Sequence, residues 1–153
     1  MTTRETRLFD EGILPSVRRP SRYIDRELHL GPGRRPGFYN VLLVFPDVYE
    51  IGMSHGGLRI LHGRLAAMEG IGVEFAFAPW TDLEKLLRAT GEPLRSWGSR
   101  TPVGEFDLVG ITLQYELHYT NVLTILDRAG LALEAADRPD DAPLVVAGGP
   151  CSS

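Results

Sequence analysis

Four short apolar runs recur along the chain, separated by amphipathic stretches. Each run is continuous rather than alternating with polar residues, which is typical of strands buried on both faces of a parallel sheet. The runs are residues 40–46 (NVLLVFP), 73–78 (VEFAFA), 107–113 (DLVGITL) and 144–147 (LVVA). The pattern therefore predicts four strands, the first of which ends at a proline.

Between these runs, apolar positions recur at helical spacing. Ser54 is predicted to cap a first helix, which ends near Gly70. Thr81 and Glu84 form a capping-box pattern at the start of a second helix, which stops at Gly91. A third helix is predicted from about residue 118 to residue 130. The positions expected to face the core are Leu58, Leu61, Leu65 and Met68 in the first helix and Val122, Leu123, Leu126 and Ala129 in the third.

The resulting order, β-α-β-α-β-α-β, predicts a three-layer α/β fold. Parallel strands joined by helices form right-handed crossovers, so we expect a doubly wound, mostly parallel sheet with helices on both faces. Only four residues follow Gly149, whereas such a unit normally continues with a helix and a fifth strand. We therefore expect either the front part of a longer protein or a shortened gene product with an exposed sheet edge.

Residues 1–38 are rich in arginine and proline and precede the α/β domain, which we assign to residues 39–153. We expect an N-terminal arm that is extended, contains one short helical turn and leads into a loop. Its positive charge, which includes Arg18, Arg19 and Arg22, is suited to contact with an anion or a partner. The favoured alternative is a solvated arm that packs on the domain or on sequence outside this chain.

The composition is that of a soluble globular protein, with 43% hydrophobic and 24% charged residues. The net charge of −4 argues against a general nucleic-acid surface and against an anionic-membrane surface. No apolar run approaches the roughly 20 residues that span a bilayer. Cys151 is the only cysteine, so this chain alone can form neither an internal disulfide nor a thiolate metal site. These features favour a cytoplasmic location.

Three segments whose residues are suited to ligand binding each lie at the end of a predicted strand. They are residues 47–52 (DVYEIG), residues 112–114 (TLQ) and the pair Gly148-Gly149. In an open α/β sheet the carboxyl ends of the strands meet at one edge, where ligands bind. The sequence therefore predicts a binding crevice at that edge.

The four histidines do not have the spacing of a metal site. His55 and His118 follow the first and third strands and are the two that we expect near the crevice. His62 lies in the first helix and His29 in the arm. For all four, packing or surface exposure is the favoured interpretation. A polar and aromatic group after the third strand is suited to ligand or domain contact and comprises Tyr115, Glu116, Tyr119 and Asn121.

Several longer strings carry a resemblance to a known family. They are PSRYI at 20–24, FPDVYEIGMS at 45–54, APWTD at 78–82, LQYEL at 113–117, YTNVL at 119–123 and AGGPC at 147–151. With these strings the chain resembles the N-terminal cobalamin-binding-type domain of radical S-adenosylmethionine (radical SAM) proteins, over about residues 15–153. The resemblance implies a flavodoxin-like, Rossmann-like sheet with the strand order 2-1-3-4 and a crevice between the first and third strands.

Cobalamin domains of the broader type carry Asp-x-His-x-x-Gly after the first strand, and its histidine ligates cobalt. Tyr49 stands at the position of that histidine, between Asp47 and Gly52, and a neutral phenol is a poor cobalt ligand by comparison. Thr112 and Gln114 correspond to a Ser-x-Leu motif. The candidate cofactor-binding residues are Asp47, Tyr49, Gly52, Ser54, His55, Thr112, Gln114, Gly148 and Gly149.

The resemblance also implies the cofactor and the partner. Cobalamin is the cofactor expected in this domain, and loss of cobalamin binding with retention of the fold is the alternative. A 4Fe-4S cluster and S-adenosylmethionine belong only to a downstream radical SAM barrel, which would be the partner in cis or in trans. The cluster cysteines of the family, C-x-x-x-C-x-x-C, lie in that barrel, and Cys151 does not correspond to any of them.

Three hypotheses follow from the sequence. The first is a corrinoid-binding-type module of a radical SAM protein, without an iron–sulfur site of its own. The second is a structural or interaction domain that has lost cobalamin binding and docks on a catalytic barrel or a partner. The tyrosine at position 49 favours this second hypothesis. The third is a small enzyme that uses Asp47, Glu50 and His55 on a phosphorylated or nucleotide ligand.

Overall fold

The computed structural model describes residues 12–24 and 33–152, so His29 lies outside the described residues. Strands β1 to β4 span Tyr39–Phe45, Ile71–Phe77, Leu108–Thr112 and Leu144–Gly148. Helices α1 to α4 span Tyr49–Ser54, Gly56–Ala66, Thr81–Thr90 and His118–Arg128. Short 3-10 turns span Leu14–Ser16, Pro20–Arg22, Val103–Glu105 and Ala135–Asp137. Within the described ranges, every helix is too short or too polar to cross a bilayer.

The four strands form one parallel sheet in the order β2-β1-β3-β4. In the central strand β1, Val41 pairs with Val73 of β2 and with Leu108 of β3. Leu108 in turn pairs with Leu144 of β4. Because all four strands run the same way, their carboxyl ends meet at one edge of the sheet. The predicted α/β class, parallel sheet and strand order are confirmed.

One face of the sheet is covered by α3, α4 and the N-terminal segment. Leu42 of β1 packs in this layer with Leu87 of α3 and Ile125 of α4, and all three side chains are fully buried. The N-terminal residues in the same layer are Ile13, Leu14, Val17 and Tyr23. Residues 12–24 therefore contribute to the hydrophobic core, which agrees with the interpretation of the arm as a segment that packs on the domain.

The opposite face is covered mainly by α2, which packs on β2 and β1. Leu58 of α2 lies in an apolar layer with Phe45, Phe75 and Trp97. The edge strand β4 is much less covered: Leu144 is 58% exposed and Val146 is 42% exposed. Helices on both faces give the three layers that the sequence predicts, but the cover over β3 and β4 is incomplete on the α2 side.

The predicted cap of α2 is wrong by one residue. Ser54 is the last residue of α1, and its hydroxyl donates a hydrogen bond to the carbonyl of Ile51. His55 occupies the cap position instead, and its Nδ1 accepts a hydrogen bond from the backbone N–H of Leu58 at 3.1 Å. An imidazole nitrogen thus replaces the hydroxyl that the sequence pattern favours.

The predicted capping box of α3 is also not formed. Thr81 is the first residue of the helix, and Trp80 holds the cap position without a side-chain hydrogen bond. Asp82, the second residue of the helix, accepts at its Oδ1 from the N–H of Leu83 at 2.7 Å. The predicted stop at Gly91 agrees with the structure, where its φ of +73° closes the helix in the left-handed conformation.

Two helices are rotated relative to the faces that the apolar spacing predicts. Leu61 and Met68, expected in the core, are exposed, and His62 is buried in their place. In α4, Leu123 is exposed and Ile125 is buried. For α2 the reason is the incomplete layer described above, because the helix covers β1 and β2 and its side toward β3 and β4 lacks a neighbour.

A buried carboxylate joins two loops to β2. Glu74 is 3% exposed, and its Oε1 accepts from the backbone N–H of Arg34 at 2.8 Å. Its Oε2 accepts from the hydroxyls of Ser96 and Ser99. Between these two serines, Trp97 donates its backbone N–H to the carbonyl of a β2 residue at 2.7 Å. The hydrogen bonds to Glu74 therefore hold the Trp97 loop against the sheet.

We expect Glu74→Gln to lower the free energy of unfolding by about 1–3 kcal/mol, because an amide cannot accept all of these buried hydrogen bonds. Urea unfolding at pH 7 measures the change. Glu69→Gln is the matched control, since Glu69 is exposed, and it should change stability by less than about 0.5 kcal/mol. Equal stability of both variants would contradict the role assigned to Glu74.

Candidate functional site

An open cavity of about 450 Å³ lies beside the carboxyl ends of β3 and β4. It brings together residues from two of the three segments that the sequence singled out, 112–114 and 148–149, with His55, which follows the first segment. The predicted site residues in its wall are His55, Thr112, Gln114, Gly148 and Gly149. The structure thus places the loop after α1, the end of β3 and the end of β4 around one space.

The floor of the cavity is the face of the sheet that α2 leaves uncovered. Leu43, Gly110 and Val146 contribute from three neighbouring strands, and Leu58 and Leu61 from α2. Gly110 has no side chain to fill this space, so the cavity reaches the sheet. Sequence reasoning missed these floor residues, because an apolar strand residue looks the same whether a helix or an open space covers it.

His55 presents only one ring nitrogen to a ligand. Its Nδ1 is occupied by the cap of α2, so Nε2 is the nitrogen that remains available. The ring lies 5.1 Å from the ring of Phe45, between centroids. Backbone and aromatic contacts therefore fix the orientation of this histidine at the cavity wall.

Glycine occupies the three glycine positions of the predicted site for different physical reasons. Gly149 has a φ of +121°, and a Cβ there would collide with the carbonyl of Leu113, so this glycine is required by a backbone crossing. Gly52 lies against the ring of Phe77, which leaves no room for a side chain. Gly148 has open space where a Cβ would be. Of the three, Gly148 is the one whose missing side chain opens the cavity.

Tyr49 lies away from the cavity, on the β2 side of the sheet edge. Its ring stacks parallel on Trp97 at 4.2 Å between centroids and meets Phe77 edge-on at 5.6 Å. Ser54 is exposed at the end of α1. The structure therefore does not bring Tyr49, Gly52 or Ser54 into the wall formed by the other predicted residues.

Asp47 forms a separate polar cluster between the ends of β1 and β3. Its Oδ1 accepts from the N–H of Val48 at 2.7 Å, and its Oδ2 accepts from the hydroxyl of Tyr115 at 3.0 Å. Nε2 of His118 lies 3.9 Å from the same oxygen. Nδ1 of His118 accepts from the N–H of Gln114 at 3.4 Å. The cluster ties the first loop to the loop after β3.

His118 is buried, with its side chain 1% exposed, and packs edge-on against Phe45. Its Nε2 has no hydrogen-bond partner among the described residues. Burial lowers the pKa of His118 below the ordinary value, while the nearby Asp47 carboxylate and a backbone hydrogen bond oppose the shift. The folded protein therefore favours the neutral imidazole.

The remaining polar candidates hold loops together. Tyr119 donates its hydroxyl to the carbonyl of Cys151 at 2.7 Å, and Asn121 donates its amide to the carbonyl of Pro46 at 2.8 Å. Glu50 forms an ion pair with Arg22. The three polar groups of the small-enzyme hypothesis, on residues 47, 50 and 55, thus have separate partners. Within the described part of the chain, no three His, Cys, Asp or Glu side chains are grouped as a metal ion would require.

A family model for the N-terminal region of radical SAM proteins matches residues 57–153. This match covers more than half of the chain and includes the cavity walls from Leu58 to Gly149. The chain belongs to this family. No curated protein and no solved structure matches the chain. In this radical SAM N-terminal domain, the match to the family model begins after the loop that contains Asp47 and Tyr49.

The pKa of His118 predicts a pH dependence of stability in this radical SAM N-terminal domain. Because the folded state disfavours the protonated ring, the unfolded chain binds this proton more readily. The stabilisation is fully present above pH about 6.5 and is lost as the pH falls below that value. His62, whose pKa is also lowered by burial, contributes in the same direction.

Urea unfolding at pH 7.5 and pH 5.5 measures this effect. We expect a lower free energy of unfolding at pH 5.5, and a smaller difference between the two pH values in His118→Phe than in the unchanged protein. The residual difference in the variant belongs to His62 and to the acidic residues. Titration of the His118 ring by NMR at or above pH 6.5 would contradict the assignment.

Proposed function

We propose that this domain holds a corrinoid, with the nucleotide tail of the cofactor in the cavity beside β3 and β4. The observation that carries the proposal is the convergence of His55, Thr112, Gln114 and Gly148 on one cavity. The sequence comparison with cobalamin domains selected Thr112, Gln114 and Gly148, and His55 was a candidate because it follows the first loop. Their meeting in space supports a ligand site rather than three unrelated turns.

The residues present fit the tail of a corrinoid. The tail consists of an aromatic base, a ribose and a phosphate, so it needs an apolar slot with a few polar groups. Leu43, Val146 and Leu58 supply the apolar surface for the base. The hydroxyl of Thr112 and Nε2 of His55 are suited to hydrogen bonds with the sugar and the phosphate. The open space at Gly148 gives the ligand access to the backbone of β4.

The position of the cobalt ligand does not fit. Tyr49 is stacked on Trp97, and the Asp47 carboxylate is held by Tyr115 and Val48 rather than by an imidazole at position 49. We therefore propose that the corrinoid binds without an axial ligand from position 49. When bound, a corrinoid supplies methyl-transfer or one-electron chemistry at cobalt. The residues of this chain bind and orient it, and no proton transfer is assigned to them.

Equilibrium dialysis and absorbance spectra with hydroxocobalamin test the proposal. We expect binding, together with a shift to the spectrum of cobalamin whose own base has left cobalt, because the base enters the cavity. Gly148→Leu should weaken binding at least tenfold by filling that space. Gly63→Leu is the matched control, since Gly63 lies on α2 with open space around it and outside the cavity wall.

Tyr49→Phe should bind hydroxocobalamin as well as the unchanged protein and give the same spectrum. This expectation follows from the stacking of the ring, which does not need the hydroxyl. A folded protein that binds no cobalamin would exclude the proposal. Equal binding by Gly148→Leu and Gly63→Leu would show that any bound corrinoid lies elsewhere.

A second candidate function is docking on a radical SAM catalytic domain, in cis or in trans. The observation that favours it is the uncovered edge strand, where Leu144 and Val146 are about half exposed and Val146 lines the cavity. Exposed apolar side chains next to an unpaired strand edge are typical of surfaces that a partner covers. In this function, the 4Fe-4S cluster and S-adenosylmethionine belong to the partner, and this domain supplies only a surface.

Sedimentation of the chain with a purified radical SAM catalytic domain from a longer family member tests docking. Leu144→Glu should raise the dissociation constant at least tenfold, because it places a charge in an apolar contact. Leu133→Glu is the control, since Leu133 is similarly exposed but lies outside β4. No association, or an equal loss in both variants, would remove this candidate.

A further inference from the structure

A second cavity, of about 410 Å³, lies near the carboxyl end of β2. Its wall combines the N-terminal segment with the start of α3. The residues around it are Arg18, Arg19, Arg22, Tyr23, Trp80 and Asp82. None of them lines the cavity beside β3 and β4, so this site is independent of corrinoid binding.

We propose that this second cavity binds a nucleoside monophosphate, with the arginines on the phosphate and Trp80 against the base. Guanidinium groups match the geometry of phosphate oxygens and stay charged at every physiological pH. Indole rings are effective stacking surfaces for bases of any sequence. A cavity that offers both groups is suited to a ligand that carries a compact anion and a planar ring.

The charge balance of the cavity favours an anion. Three guanidinium groups face two carboxylates, that of Glu50, which pairs with Arg22, and that of Asp82. The Asp82 carboxylate is already engaged, because its Oδ2 accepts from the backbone N–H of Arg18 at 2.9 Å and its Oδ1 from the N–H of Leu83. The local excess of positive charge contrasts with the net charge of −4 of the whole chain.

Arg22 is held in place before any ligand arrives. Its Nε donates to both carboxylate oxygens of Glu50, at 2.9 and 3.0 Å. Its guanidinium carbon lies 5.1 Å from the centre of the Trp80 ring. Since its side chain is only 11% exposed, little rotational freedom is left to lose on binding. The hydrogen bonds to Glu50 use Nε, and the guanidinium group also interacts with the Tyr23 side chain.

Trp80 is also positioned by contacts on its backbone. Its N–H donates to the hydroxyl of the buried Tyr23 at 3.2 Å, and it holds the cap position of α3. The side chain is nevertheless largely accessible, since the residue is 49% exposed. A fixed backbone with an accessible indole ring is the arrangement that base stacking requires, whereas an acidic peptide would need only the charges.

Calorimetric titration of the full chain with AMP, adenosine and inorganic phosphate tests the proposal. We expect AMP to bind more tightly than either of its parts. The double variant Arg18→Ala/Arg19→Ala should weaken AMP and phosphate at least tenfold, because two charge-assisted contacts are lost. Trp80→Leu should weaken AMP about tenfold and leave phosphate unchanged, because only the base loses its contact.

Arg59→Ala is the matched control, since Arg59 is an exposed arginine on α2, outside this cavity. It should bind AMP as the unchanged protein does. Arg18 and Arg19 are themselves exposed, so circular dichroism should show both arginine variants folded. Absence of AMP binding, or full binding by the double variant, would overturn the proposal. Tighter binding of a glutamate-rich peptide than of AMP would do the same by assigning the cavity to an acidic segment.

Discussion

Burial of β1 on both faces is the constraint on which the rest of the structure depends. Leu42 and Val44 enter one apolar layer, and Leu43 and Phe45 enter the other. Both neighbours of this strand run parallel to it, so the loops after β1, β2 and β3 emerge at the same edge. The ring of Phe45 contacts two histidines near that edge: His55, at the start of α2, and His118, at the start of α4. The His55 side of the cavity wall and the Asp47 cluster thus lie next to a single buried ring.

The strands and their order could be predicted because the signal is local and strong. A continuous apolar run such as residues 40–46 is typical of a strand in a parallel sheet. The helix faces were less predictable, since the burial of Leu61 or His62 depends on what lies beyond the helix. The cap predictions failed because His55 and Asp82, rather than Ser54 and Thr81, accept hydrogen bonds from N–H groups at the starts of these helices.

The candidate site, too, has features that could be predicted from the sequence and features that could not. Thr112 and Gly148 could be placed together because each lies at the end of a strand, and the ends of parallel strands share one edge. The position of Tyr49 could not be predicted, because it is fixed by Trp97, which lies in a loop 48 positions later in the chain. That loop is in turn held by Glu74 through contacts that leave no periodic pattern. The cavity lined by Arg18, Arg19 and Arg22 was predicted only as an arginine-rich arm, because Trp80, which completes its wall, is distant in sequence.

The N-terminal segment has a consequence for synthesis of the protein on the ribosome. Ile13, Leu14 and Val17 leave the exit tunnel early, but they share a layer with Leu87 and Ile125, which are made much later. The βαβ unit of β1 and β2 can form in the meantime, whereas the first segment has no completed surface to pack on. Its apolar side chains therefore cannot be fully buried in this layer until α4 has been translated.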